Sequence, residues 1–273
     1  MQQKHHTFQR TGAMYQVDGD DTPSNFHVAP PKKPKRKKKR IIAIIIALAL
    51  FITAGAIAYH ALFPNNEPLI KAKAKKGHEI NWEALLAENP DTVGWLHLPK
   101  TQLDTPVVQT GNNKFYLNHN YKKEYDYHGL PFLDKDYKWG ISKNSVIYGH
   151  SIFRDGFTSQ FDVIHKFVGN QQYYNKHKTI YYDRPDGKGG YGKWRIFAVI
   201  RCNPYYNYRQ MDFTSEQDFQ QFIEGIEDKN TISSDDHPKY GDELLVLSTC
   251  EEHVNRVALI AYRLPGTGTH KDW

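Results

Sequence analysis

Three residues in this 273-residue chain have the types needed for acyl transfer through a covalent intermediate: Cys250, His150 and Arg256. A thiol is mostly protonated near neutrality, with a free pKa of about 8.5. It becomes an effective nucleophile when an imidazole or a cation stabilises the thiolate. Attack on a carbonyl then builds an oxyanion, and a guanidinium supplies a positive charge that does not deprotonate. Taken singly, each has an ordinary reading. A free cysteine is usually a small buried hydrophobe, a strand-end histidine a polar rim residue, and an arginine in a turn a solvated one. Their settings distinguish them. His150 closes the run NSVIYGH (144–150), Cys250 closes ELLVLSTC (243–250), and Arg256 opens RVALIAYRL (256–264). Strand ends are rigid places from which three side chains can meet. His253, in the turn after Cys250, is a rival base that a turn should point to solvent. Arg263 lies seven residues further along the last strand than Arg256, too far to serve the same point.

These runs belong to a wider pattern. GWLHL (94–98), TPVVQ (105–109), LPFLD (130–134), TIYYD (179–183) and KWRIFAVIRC (193–202) are equally short, rich in β-branched and aromatic residues, and separated by turn residues. Eight such strands predict a barrel or sandwich rather than βαβ units. NWEALLAENPD reads as a short helix capped by Asn81, with Pro90 near its end. TSEQDFQQFIEGIEDKN (214–230) reads as a helix capped by Thr214, with Phe219, Phe222, Ile223 and Ile226 forming one apolar stripe. Residues 157–177 are expected to hold one or two short helices. GKGGYG matches GxGxxG at Gly187, Gly189 and Gly192, but a strand pattern follows it where a dinucleotide site needs a helix. It is read as a hairpin turn.

The net charge of +6 is unevenly placed. Residues 1–40 hold ten of the 36 Lys/Arg and three of the 30 Asp/Glu, so the rest of the chain is close to neutral. A nucleic-acid partner is therefore not expected, since the basicity sits outside the folded part. Residues 1–40 read as a disordered, basic, cytoplasmic tail. Residues 41–63, IIAIIIALALFITAGAIAYHALF, contain no charged residue. As a helix rising about 1.5 Å per residue they would cross a ~30 Å hydrocarbon core. KKPKRKKKR just before them predicts a cytoplasmic N-terminus, an extracellular C-terminus and attraction to membrane lipid. A linker over 64–78 then leads to one folded domain, 79–273. The two cysteines, Cys202 and Cys250, lack the spacing of a zinc site. Cys202, inside a strand, is expected to be buried. Were it beside Cys250, a disulfide could switch the nucleophile off.

LSTC followed closely by an arginine that opens an apolar strand resembles the signature of sortases, and SVIYGHS resembles their histidine strand. ENPDTVGWLHLPKT, LDTPVVQ, FYLNHNY and LPFLD resemble class B sortases in particular, as does a helix inserted before the cysteine strand. The likeness covers about residues 79–265, with Val246 where threonine is frequent in the family. It implies a sortase-type closed β-barrel of about eight strands, with an N-terminal helix, the inserted helix and one preceding transmembrane helix. It implies a membrane-tethered cysteine transpeptidase of Gram-positive bacteria that needs no metal or organic cofactor. Such an enzyme cleaves a C-terminal sorting signal of secreted proteins through a thioester on Cys250. It passes them to an amine of a peptidoglycan cross-bridge or a pilin lysine. His150 would be general acid and base, and Arg256 the oxyanion or positioning cation. Asn113, Leu117, Tyr148, Tyr208, Ser248 and Glu251 would shape the substrate groove. Two other readings stay open: another cell-wall cysteine acyl-transfer enzyme acting on peptidoglycan stems, and a membrane-anchored binding module that has lost the chemistry.

Overall fold

The structure is a computed structural model. It describes residues 35–62, 80–151, 159–185, 190–251 and 255–266, without the side chains of 35–40, 55–62, 250 and 251. Contacts divide the chain into two units at Tyr59/His60. The described structure of the first is helix α1 (Lys35–Leu62), which takes in the end of the basic run and whose last three residues fall past the division. Its side chains over 41–54 are exposed. Among the described residues no helix is long and apolar enough to cross a membrane, so the span expected over 41–63 rests on the sequence. Of the predicted disordered tail 1–40, residues 35–40 are the start of α1, and residues 1–34 lie outside the described residues, as does the predicted linker 64–78.

The second unit holds all eight expected strands: β1 (Thr92–His97), β2 (Asp104–Val108), β3 (Phe132–Leu133), β4 (Asn144–Gly149), β5 (Thr179–Asp183), β6 (Lys193–Cys202), β7 (Leu244–Glu251) and β8 (Asn255–Arg263). They form a closed barrel in the order β1-β2-β3-β4-β7-β8-β6-β5, with β5 returning to β1. β2–β3 and β4–β7 are parallel pairs, and the other pairs are antiparallel. β3 is shorter than 130–134 for two reasons. Pro131 has no N–H to give a ladder, and Asp134 turns the chain by accepting the Asp136 N–H at 3.0 Å.

Alternation along β7 explains its unbroken apolar run. Leu245 and Leu247 point into the barrel with Ile147, Val199, Val257 and Leu259. Leu244 and Val246 point outward, where Ala258 and Ile260 of β8 join them. That outer face is covered by the inserted helix, here α5 (Glu216–Asp228), through Phe219, Phe222, Ile223 and Ile226. A strand buried on both faces has no polar alternation to show. The helix begins one residue later than expected. Ser215, not Thr214, is its cap: the Ser215 hydroxyl accepts the Asp218 N–H at 3.1 Å, and the Asp218 carboxylate accepts the Thr214 N–H at 2.9 Å. The first bond caps the helix and the second ties down the residue before the cap.

α2 (Trp82–Glu88) follows its Asn81 cap as expected, and Leu85 fixes it to a cluster containing Trp95, Tyr116 and Phe132. The stretch 157–177 supplies two short helices, α3 (Asp162–His165) and α4 (Gln171–Lys176). β5 and β6 pair antiparallel on either side of the glycine-rich turn, of which residues 186–189 lie outside the described residues.

Candidate active site

The outer face of β4, β7 and β8 is apolar beneath α5 and changes character towards the strand ends. Val146, Tyr148 and His150 succeed one another along β4, and Val246, Ser248 and position 250 along β7. On β8 the row runs back from Ile260 through Ala258 to Arg256. Strand alternation sets Val146 with Tyr148, Val246 with Ser248, and Ile260 with Ala258 and Arg256 on a single face. The register aligns them: Tyr148 pairs with Ser248, Ser248 with Ala258, and Cys250 with Arg256. Beyond the reach of α5 this face opens into a cleft of ≈ 320 Å³.

Of the predicted site residues, His150, Arg256, Asn113, Leu117, Tyr148, Tyr208 and Ser248 all line the cleft. Cys250 and Glu251 end β7 beside it, and their side chains lie outside the described residues, as does His253. Arg263 is elsewhere, donating to Glu243 at 2.9 Å and to the Tyr191 carbonyl at 3.0 Å, which leaves Arg256 as the cleft's β8 cation. Arg256 donates to the Asn255 carbonyl at 3.3 Å.

His150 is held from both sides. Its Nε2–H donates to the Leu117 carbonyl at 2.7 Å. A carbonyl can only accept, so the neutral ring carries its proton on Nε2 and has its lone pair on Nδ1. Its backbone carbonyl accepts the Ser159 hydroxyl at 2.6 Å. Ser159 is in turn fixed by Asp162, which accepts its N–H at 2.7 Å, and Ser151 also donates to Asp162, at 2.8 Å. Burial lowers the imidazole pKa. The Leu117 carbonyl partly opposes this, and the nearby His128 adds to it. Both the burial and the His128 charge favour the neutral ring. Gly149 precedes it because the Phe161 ring occupies the space that any Cβ would fill, 2.6 Å from its ideal position.

The cleft has residues that the sequence did not single out: Phe132, Gly149, Pro204, Arg209 and Thr249. Arg209 is the informative one. It donates to the carboxylate of Asp134 at 2.8 Å and lies over the Tyr148 ring at 5.6 Å. Asp134 is fully buried and also accepts the Tyr148 hydroxyl at 2.7 Å. Burial alone would raise its pKa. Hydrogen bonds from the Asp136 N–H, Tyr148, Asn113 and Arg209 outweigh that and hold it below the usual carboxylate value. The same surroundings, burial first and the Asp134 charge next, push the Tyr148 hydroxyl well up. The sequence signal was weak: an arginine in a tyrosine-rich loop, paired with an acid 75 positions away.

Tyr208 is buried and receives the Ser248 hydroxyl at 2.9 Å. Cys202 is buried as expected, and burial pushes its thiol up to about 11. It pairs with Arg256 from β6, while Cys250 pairs with Arg256 from β7. The two cysteines are thus separated by a whole strand, roughly 10 Å at ordinary strand spacing. That is beyond the ~7 Å Cα reach of a disulfide, so the switch considered from the sequence does not fit this register.

No protein-family model matches the chain. It is 32% identical over 200 residues to sortase B of Staphylococcus aureus (strain NCTC 8325 / PS 47), covering 71% of this chain and 78% of the relative. It is 32% identical over 164 residues to sortase B of Listeria monocytogenes serovar 1/2a, covering 60% of this chain and 64% of that relative. Among solved structures, a Staphylococcus aureus sortase B–substrate complex superposes with a TM-score of 0.63 at 32% identity, over 68% of this chain and 86% of that one. Clostridium perfringens sortase B gives 0.60 at 28% identity, over 67% and 99%.

Proposed function

The chain belongs to the sortase B family and is a cysteine transpeptidase, and on that premise we propose that Cys250, His150 and Arg256 are its catalytic residues. His150 Nδ1 takes the thiol proton as Cys250 attacks the scissile carbonyl of a sorting signal. Arg256 stabilises the oxyanion. The C–N bond then breaks, His150 returns the proton to the leaving amine, and a thioester remains. An incoming amine gives its proton to His150, forms the new amide and expels the thiol. Asn113, Leu117, Tyr148, Tyr208, Ser248 and Glu251 form the groove that holds the peptide. The observation that carries this reading is the direct cross-strand pairing of Cys250 with Arg256, beside a cleft that His150 lines.

The substrate is a secreted protein with a C-terminal sorting signal, and the acceptor is an amine of the peptidoglycan cross-bridge or a pilin lysine. The enzyme is placed in the cell membrane of a Gram-positive bacterium as a single-pass protein, with residues 1–40 cytoplasmic and 79–273 extracellular. Support for the anchor comes from the uncharged run 41–63 behind KKPKRKKKR and from the exposure of Ile41, Ile45 and Phe51. Apolar side chains in such a row are not left facing water.

The test is to incubate the full chain, purified in mild detergent, with fluorogenic sorting peptides, with and without an amine acceptor. Mass spectrometry should find cleavage within the motif and an adduct on Cys250, both absent in Cys250→Ala. An adduct formed only with peptidoglycan stem peptides would favour the other cell-wall acyl transferase. A Cys250 inert to peptides and to small thiol reagents would favour the silent binding module.

A further inference from the structure

We propose that Arg209 sets the specificity of the cleft, selecting a substrate side chain that presents an oxygen acceptor and disfavouring a lysine. The inference rests on the sorting-peptide reading above and names which chemistry that peptide should carry.

The cleft is lined by two formal cations, Arg209 and Arg256, and among the described residues by no acidic side chain. Arg256 pairs with the nucleophile position and is taken up by the chemistry. Arg209 sits elsewhere in the cleft, above Tyr148. Tyr148 precedes His150 by two positions, and Ser248, opposite Tyr148, precedes Cys250 by two. At about 3.3 Å per residue, this row lies roughly 7 Å from the reacting row. An extended peptide bound along the cleft would thus bring the side chain about two residues from the cut to Arg209.

Arg209 is fixed for such a role. Its Nη2 is committed to the buried Asp134 at 2.8 Å, and its Cζ lies over the Tyr148 ring, 5.6 Å from the ring centre. Its side chain remains 47% exposed. A guanidinium has five N–H donors, and one bond to Asp134 leaves several for a ligand. A pinned arginine loses little freedom on binding, unlike a solvated surface one. Asp134 cannot serve a cationic substrate side chain, because it is fully buried and already holds four partners. A lysine brought here would meet two arginines. A carboxamide or carboxylate would meet donors, and a leucine would leave them dry and unpaired.

The experiment uses the full chain and sorting peptides in which Gln, Glu, Lys or Leu is placed, one position at a time, upstream of the cut. For the wild type we expect kcat/KM about tenfold higher with Gln or Glu than with Leu at one position, and lower still with Lys. The Gln and Glu arms tell a neutral acceptor from an anionic one. In Arg209→Leu the preference should collapse to within about twofold, carried by KM with kcat little changed. Arg209→Lys keeps a donor and should retain part of it. Thermal melting of each variant controls for the loss of the Asp134 partner. An unchanged preference in Arg209→Leu overturns the inference. So does an equal loss on all four peptides with a fallen Tm, which would mark Arg209 as structural. If the wild type cleaves peptides with no preference at any position, the inference fails while the sortase chemistry stands. If it cleaves none, the sorting-peptide reading fails and takes the inference with it.

Discussion

One face of three strands does two jobs. Near Leu244, Val246 and Ile260 it is closed by α5 and buried. A few residues along the same strands, at Tyr148, Ser248 and Arg256, it opens into the cleft. Backbone register and side-chain direction are the same at both ends. The difference is the cover: where a helix supplies Phe219, Phe222, Ile223 and Ile226, the sheet needs only apolar volume. Where the helix stops, the same positions hold polar groups: Tyr148 and Ser248, tied to Asp134 and Tyr208, and Arg256, which lines the cleft. A rigid packed end holds the reactive end in register, which is what covalent catalysis requires.

If that division is sound, mutations at the two ends should separate activity from stability. The largest effect belongs to the open end. Cys250→Ala should lower turnover by at least about a thousandfold while moving Tm by no more than a few degrees, read by peptide cleavage and calorimetry. Arg256→Ala should cost about 10² to 10³ in kcat through the lost oxyanion partner, again with little change in Tm. A large loss of stability in either would mean that the open end is also part of the core.

The closed end should behave oppositely. Ile260 is fully buried, and Ile260→Ala should cost about 2–5 kcal/mol of stability. The fraction that stays folded should keep nearly normal kcat. A smaller effect is expected at the boundary. Tyr208→Phe removes the acceptor of the Ser248 hydroxyl and should cost about 1–3 kcal/mol, because a buried hydroxyl is left unpaired. KM should rise more than kcat falls.

The sequence made the closed end and the catalytic types legible for separate reasons. The strands announce themselves as β-branched runs between turns, and α5 through its four-residue stripe. Cys250, His150 and Arg256 stand out in the sequence because each sits at the end of such a run, and the barrel brings those three run ends to one cleft. Arg209 and Asp134 were not, since an ion pair between a loop and a strand end leaves no periodic trace. The Ser159–Asp162 clamp on His150 was hidden likewise, because it depends on where the chain returns after β4. The Ser215 cap lies one position from the expected one because Thr214 and Ser215 are equally good cap types, and only the Asp218 N–H, which donates to the Ser215 hydroxyl, decides between them.

The smallest effect tests how the open end tunes its base. His150 titrates below 6.5 because burial disfavours the imidazolium, with the Leu117 carbonyl opposing and His128 reinforcing. In the Cys250→Ala variant, which lacks the proposed nucleophile, NMR of the His150 ring should give a midpoint below 6.5. The sign follows for stability. With a depressed folded pKa the unfolded chain binds more protons, so this ring makes the folded state lose stability as pH falls through the unfolded value. His128→Gln removes the reinforcing charge and should move the midpoint upward. A midpoint at or above 6.5 in Cys250→Ala would mean that the ring is solvated like a rim histidine. The open end would then owe its reactivity to Arg256 more than to a neutral base.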